Sequence, residues 1–128
     1  MYDSATAAAW SGRPLVLCVE DDPAQLRLLS RLFESDGFSV LRAATPEDAV
    51  ELLSEAPVSL IIADHLLRGV TGTQLAARFK AVKPTVPVLL HSGTQPDTLH
   101  NVDAFIYKGE PVRELLALAR DLVRRFSS

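Results

Sequence analysis

From residue 14 to residue 126, short and largely apolar runs alternate with longer stretches of helical periodicity. Nearly uninterrupted apolar runs are typical of strands that are buried on both faces of a parallel sheet. The predicted strands cover residues 15–19, 38–41, 58–63, 88–91 and 104–107. Between most of them, apolar residues recur every three or four positions, which predicts amphipathic helices.

Capping signals mark where the predicted helices begin. Asp22 and Thr45 each precede a proline, and a capping residue followed by proline is a typical helix start. A loop with Gly69 and Gly72 leads to a third helix, and Pro111 opens the last one.

The segment between the fourth and fifth predicted strands lacks this pattern. Its eleven residues, 93–103, are mostly polar and include Gly93 and Pro96. Because a crossover that contains a helix needs at least about 10 to 12 residues, we expect the fourth helix to be truncated or absent.

Strands that alternate with helices predict an α/β fold, in which right-handed crossovers place helices on both faces of a parallel sheet. We expect a flavodoxin-like, doubly wound sheet of five strands in the order 2-1-3-4-5. Residues 14–126 form the predicted domain, and residues 1–13 form a leader. Ligands of such sheets bind outside the carboxyl ends of the strands.

Composition limits the kinds of partner that this domain can have. A chain of 128 residues, 48% of them hydrophobic, suits one domain with its own core. The formal net charge of −3 argues against direct binding to nucleic acid, which requires a basic surface. No apolar run is long enough to span a membrane, and the leader does not resemble a secretory signal. A soluble, cytoplasmic protein without membrane contact is therefore expected.

Charged and hydroxyl residues follow the predicted strands at their carboxyl ends. Glu20 and Asp21 follow the first strand, Asp64 the third, Ser92 the fourth and Lys108 the fifth. Carboxylates from the neighbouring first and third strands converge in this sheet order and need a cation between them. Oxygen ligands favour a hard ion such as Mg²⁺. A carboxylate is also a nucleophile toward phosphoryl groups, whose charge the lysine and the serine hydroxyl would neutralise.

These strand ends resemble the receiver domain of bacterial two-component response regulators. The resemblance rests on segments 19–23, 60–64, 88–93 and 104–108, which read VEDDP, LIIAD, VLLHSG and AFIYK, and on Gly72. It implies a signalling domain that takes a phosphoryl group from a histidine kinase or phosphotransfer protein and switches a surface for a downstream protein target. Such a domain catalyses only its own phosphorylation and dephosphorylation and is otherwise not an enzyme.

The resemblance also implies a role for each residue of the acidic cluster, which consists of Glu20, Asp21 and Asp64. Asp64 would be the phosphoacceptor. Mg²⁺ would be bound directly by Asp21, by Asp64 and by the backbone carbonyl of Leu66, and through water by Glu20.

Three further residues would couple the phosphoryl group to the switch. Lys108 would pair with the phosphoryl oxygens, and Ser92 would be the hydroxyl that reports phosphorylation. Phe105 would be the aromatic residue that rotates with the switch.

Two positions depart from the pattern of the family. Proline usually stands four residues after the acceptor and directly after the lysine, where this chain has Arg68 and Gly109. Arg68 could pair with Glu20, with Asp22 or with the phosphoryl oxygens, or it could point to solvent. Gly109 could leave Lys108 less firmly aimed. Together with the missing helix, these departures keep an alternative open, namely a pseudo-receiver that is not phosphorylated and acts as a constitutive protein-interaction module.

Overall fold

The computed structural model describes residues 12–127, so most of the predicted leader lies outside the described part of the chain. Seven strands occur in this part: β1 (Leu15–Val19), β2 (Ser39–Ala43), β3 (Leu60–Ala63), β4 (Leu66–Leu67), β5 (Val70–Thr71), β6 (Val88–Ser92) and β7 (Ala104–Tyr107). The four helices described there are α1 (Pro23–Ser35), α2 (Pro46–Glu55), α3 (Gly72–Val82) and α4 (Val112–Phe126).

Five of the strands form one parallel sheet in the order β2-β1-β3-β6-β7. This order confirms the predicted doubly wound, flavodoxin-like fold. Four strand ends differ from the prediction: β2 covers Ser39–Ala43 rather than residues 38–41, β3 begins at Leu60 rather than at residue 58, and β6 ends at Ser92 rather than at residue 91. The backbone amide of Phe38 bonds to Phe33 at the end of α1, and that of Val58 bonds to Ala56, so neither residue is free for the sheet.

Alternation along the buried strands separates the core into two layers. Leu15, Leu17 and Val19 of β1 face the layer that α2 and α3 cover, whereas Val16 and Cys18 face the layer that α1 and α4 cover. Burial of β1 on both faces explains its unbroken apolar sequence. It also raises the pKa of the Cys18 thiol, which therefore remains protonated inside the core.

The predicted capping residues begin the first two helices. Asp22 accepts hydrogen bonds from the backbone amides of Ala24 and Gln25 at the start of α1. Thr45 accepts one from the amide of Asp48 at the start of α2. Because only residues 20–22 separate α1 from β1, the first turn of α1 lies beside the carboxyl end of the sheet.

The connection between β6 and β7 contains no helix in the described chain, as the polar segment with Gly93 and Pro96 predicts. Pro96 is buried, and Val102 packs against the core. The carboxylate of Asp103 accepts hydrogen bonds from the Lys80 ammonium and from the Val88 amide, both at 2.7 Å. Helix α3 and strand β6 therefore hold the end of this connection.

The loop after β3 contains a hairpin that is not evident in the sequence pattern. Strands β4 and β5 pair in antiparallel fashion around Arg68 and Gly69, which have φ angles of +50° and +79°. Positive φ at both central residues is the backbone of a tight hairpin turn of type I′. Gly72, the first residue of α3 after this hairpin, has no room for a side chain. A Cβ atom there would lie 2.7 Å from a methyl carbon of Leu90.

Candidate functional site

The side chain of Lys108 joins the ends of β1 and β3. Its Nζ atom donates to Asp64 Oδ2 at 3.0 Å and to Glu20 Oε2 at 3.1 Å. Because both carboxylate oxygens lie about 3 Å from the same nitrogen, they are no more than about 6 Å apart. Strands β1 and β3 are neighbours in the sheet, which is why these residues meet at its carboxyl edge.

The three charged side chains are partly withdrawn from solvent. Exposed fractions are 6% for Glu20, 17% for Asp64 and 26% for Lys108. Burial is the largest influence on Glu20 and raises its pKa above the usual value, although the hydrogen bond from Lys108 opposes this shift. Burial alone would lower the pKa of Lys108, but hydrogen bonds to Asp64 and Glu20 outweigh it and raise that pKa. The ammonium is thus the counter-charge of the acidic pair.

The predicted metal ligands are only partly brought together. Asp21 is half-buried in the turn before α1, and its side chain makes no hydrogen bond or ion pair to residues 12–127. Within that range no three His, Cys, Asp or Glu side chains are grouped closely enough to hold a metal ion. The backbone amide of Leu66 donates to Asp64 Oδ1 at 3.5 Å, which keeps Leu66 beside the acceptor. The available donors are anionic oxygens, and these suit Mg²⁺ chemically.

The two predicted switch residues lie in adjacent strands, Ser92 as the last residue of β6 and Phe105 two residues before the end of β7. Ser92 is 2% exposed, and its hydroxyl accepts a hydrogen bond from the Thr94 amide at 3.2 Å. Phe105 is half-buried, with its ring edge-to-face against Tyr107 at a centroid distance of 4.8 Å. The Tyr107 hydroxyl in turn donates to Gln95 at 3.2 Å. The aromatic pair therefore connects β7 with the irregular segment that follows β6.

The family model described as response regulator receiver domain matches residues 16–118. This match covers the sheet except for Leu15, helices α1 to α3, and every residue of the acidic cluster. The chain belongs to the response regulator receiver family.

Curated relatives of this receiver domain are transcriptional regulatory proteins. GlrR of Escherichia coli is 34% identical over 86 residues, which are 66% of this chain and 19% of GlrR. AruR of Pseudomonas aeruginosa is 32% identical over 123 residues, which cover 88% of this chain and 50% of AruR. The chain thus spans half or less of the length of these relatives.

Solved structures show the same fold. A CheY-like receiver domain protein from Methanospirillum hungatei has a TM-score of 0.81 at 24% identity, with coverage of 90% of this chain and 97% of that one. The response regulator TrrA of Thermotoga maritima, in complex with Mg²⁺ and BeF, has a TM-score of 0.79 at 20% identity, with coverage of 85% and 98%. None of the helices within residues 12–127 of the receiver domain is long and apolar enough to cross a membrane.

Two residues beside Lys108 in the receiver domain have no counterpart in the sequence prediction of the site. Gln25 accepts a hydrogen bond from Lys108 Nζ at 2.7 Å. His91 is half-buried, and burial together with the Lys108 charge lowers its pKa to about 4, so its imidazole is neutral at pH 7. Gln25, His91, Lys108 and Glu20 line a cavity of about 270 Å³ against the leucines of α1. The capping pattern placed Gln25 in the first turn of α1, but no sequence signal pointed to its partner.

Arg68 does not pair with Glu20 or Asp22 in the receiver domain. Its side chain is exposed and makes no hydrogen bond or ion pair to the described residues. Its φ of +50° explains why this chain departs from proline at this position, since the proline ring requires φ near −65°. Gly109 is exposed, and the Lys108–Gly109 peptide bond is trans, as are all others in residues 12–127.

The backbone at Arg68 leads to a stability prediction. We expect Arg68→Pro to lower the free energy of unfolding by about 2 kcal/mol, because proline excludes the hairpin turn. Arg68→Asn should leave it unchanged or raise it slightly, since asparagine tolerates the left-handed region better than arginine. Urea unfolding at constant pH measures both variants. Equal unfolding midpoints for the two variants would contradict this explanation of the departure.

Proposed function

We propose that this receiver domain takes a phosphoryl group from a histidine kinase or phosphotransfer protein onto Asp64 in the presence of Mg²⁺. The modified domain then presents an altered surface to a downstream protein target. The observation that carries the proposal is the 3.0 Å contact between Lys108 Nζ and Asp64 Oδ2, within a pair of carboxylates at the carboxyl edge of the sheet. A nucleophile and its charge partner are already adjacent there.

In the proposed reaction, a carboxylate oxygen of Asp64 attacks phosphorus and forms a new P–O bond. The P–N bond of the donor phosphohistidine breaks, and its electron pair stays on the imidazole nitrogen, which recovers a proton. Lys108 neutralises charge on the phosphoryl oxygens, and the Ser92 hydroxyl donates to one of them once the segment after β6 adjusts. Asp21, Asp64 and the Leu66 carbonyl, with Glu20 through water, would hold Mg²⁺, which would supply further charge neutralisation.

We propose that the domain acts on no other substrate and contacts proteins rather than nucleic acid. Its net charge of −3 supports this, because phosphate backbones repel an acidic surface. The curated relatives are transcriptional regulatory proteins that extend well beyond the matched region, so their regulatory role does not require contact between this region and nucleic acid. The proposed location is the cytoplasm, where kinase and target would be accessible.

The test of the proposed function is incubation of the purified chain with acetyl phosphate, with and without Mg²⁺, followed by intact-mass measurement. We expect the mass of one added phosphoryl group with Mg²⁺ and none when the metal is chelated. A folded chain that stays unmodified with acetyl phosphate and with phosphoramidate would instead support the alternative, a pseudo-receiver that works as a constitutive interaction module.

A further inference from the structure

We infer that Gln25 is the positioning residue of this site, because its side-chain amide holds the Lys108 ammonium beside Asp64. The inference rests on the proposed function of Asp64 and adds a residue from helix α1 to it. Gln25 would touch neither the phosphoryl group nor the metal ion. It would act through Lys108 alone.

The hydrogen bonds of Lys108 give the first line of support. An ammonium group has three N–H donors, and Lys108 Nζ has three acceptors: Gln25 at 2.7 Å, Asp64 at 3.0 Å and Glu20 at 3.1 Å. Every donor therefore has a partner, and the shortest contact is with the uncharged one. This full set of acceptors determines where the ammonium lies.

The orientation of the Gln25 amide is itself determined by the helix cap. Gln25 Nε2 donates to Asp22 Oδ2 at 3.3 Å, while Asp22 Oδ1 accepts from the Ala24 amide at 2.9 Å. Because the amide nitrogen faces the capping carboxylate, the amide oxygen faces Lys108. Gln25 is the third residue of α1, so the start of the helix after β1 places this oxygen at the site.

A separate support for Lys108 is needed because its own backbone provides little. Its amide donates to the Ser92 carbonyl at 3.0 Å, but the next residue is the exposed Gly109, whose backbone is permissive. The long lysine side chain is flexible and depends on its acceptors for a fixed position. Two of those acceptors are carboxylates, and these would interact with the phosphoryl group or with Mg²⁺ when both are present. Gln25 is the only one of the three that remains available, and as a neutral group it leaves the charge of Lys108 for the phosphoryl oxygens.

The test compares Gln25→Leu, which removes the acceptor at similar size, with Gln25→Glu, which retains it. Arg27→Leu serves as the matched control, since Arg27 is exposed on the same helix and makes no hydrogen bond or ion pair to the described residues. The first measurement is hydrogen exchange of the Lys108 ammonium by NMR. We expect faster exchange in Gln25→Leu and exchange near the wild-type rate in Gln25→Glu and Arg27→Leu.

The second measurement is the rate of phosphorylation by acetyl phosphate at saturating Mg²⁺. Loss of one hydrogen bond to a partly exposed cation should slow this rate about three- to tenfold in Gln25→Leu, with thermal unfolding close to that of the control. Gln25→Glu should recover part of the rate, because it holds Lys108 but adds a negative charge.

Exchange and phosphorylation rates in Gln25→Leu that match Arg27→Leu would overturn the inference. If the wild type accepts no phosphoryl group, the proposed function fails, and the ammonium exchange alone then decides whether Gln25 holds Lys108. Faster exchange with an unchanged phosphorylation rate would show that Gln25 contacts Lys108 without positioning it for the reaction, and this result would also overturn the inference.

Discussion

Asp64→Asn is expected to lose all uptake of a phosphoryl group from acetyl phosphate while it remains folded. An amide oxygen carries no negative charge and does not attack phosphorus, so the substitution removes the nucleophile at constant shape. Lys108 keeps Glu20 and Gln25 as acceptors in this variant, which should preserve the local structure. Intact mass after incubation with Mg²⁺ and acetyl phosphate measures the effect.

Asp97→Asn is the matched control, because Asp97 is exposed in the segment after β6 and has no partner among the described residues. It should be modified to the extent of the wild type. Asp21→Asn should also lose modification, through loss of a metal ligand, and high Mg²⁺ should restore part of it. Modification of Asp64→Asn to the wild-type extent would show that another residue is the acceptor.

Lys108→Met is expected to lower the free energy of unfolding by about 2 kcal/mol at pH 7.5. The substitution removes one partner of an ion pair, and because the pair is partly exposed, the loss is smaller than for a fully buried pair. The variant leaves Glu20 and Asp64 close together without their counter-charge. Millimolar Mg²⁺ should reduce the deficit, because a cation that binds only the folded state stabilises it. Urea unfolding of wild type and variant, with and without Mg²⁺, measures these differences.

The deficit of Lys108→Met should also shrink as the pH falls. Burial already raises the pKa of Glu20 above its usual 4.5, and the hydrogen bond from Lys108, which opposes that shift, is absent in the variant. Between 4.5 and the raised pKa, the folded variant therefore binds more protons than the unfolded chain, and its stability increases relative to wild type on acidification. His91 acts in the same direction: burial remains the main cause of its lowered pKa, but removal of the Lys108 charge lets that pKa rise from about 4, so acidification costs the variant less stability.

A deficit that stays constant from pH 7.5 to pH 5 and is insensitive to Mg²⁺ would contradict this electrostatic explanation. The loss would then come from packing of the lysine stem rather than from its charge. Lys83→Met is a useful comparison, because within residues 12–127 Lys83 Nζ donates only to the backbone carbonyl of Ala56. Its deficit should not depend on pH in this range.

Much of the fold was predictable because its causes are local. The apolar sequence of β1 follows from burial on both faces, and the caps Asp22 and Thr45 act within three residues of themselves. The missing helix before β7 follows from a short polar segment with Gly93 and Pro96. The hairpin around Arg68 was not predicted, because arginine gives no sequence signal of positive φ.

The acidic cluster was predictable as a set of residue types but not as a set of contacts. Once the strand order is known, the ends of neighbouring parallel strands must meet, so Glu20, Asp64 and Lys108 could be assigned to one edge. Which of them touch depends on side-chain directions at the ends of those strands. The structure joins Lys108 to Glu20 and Asp64 and leaves Asp21 outside that group.

The five strands of the parallel sheet, most helix starts, the absent helix and the residues that could carry phosphoryl chemistry were all predictable from the sequence, since each depends on a few neighbouring residues. Two contacts follow from the three-dimensional arrangement alone: Lys108 has Gln25 as its nearest acceptor, 83 positions away, and His91 is neutral beside it. The physical reason is that charge and hydrogen bonding act over a few ångströms in space, whatever the separation along the chain. Such contacts exist only after β1, β3, β6 and β7 have packed side by side with the first turn of α1 against their ends.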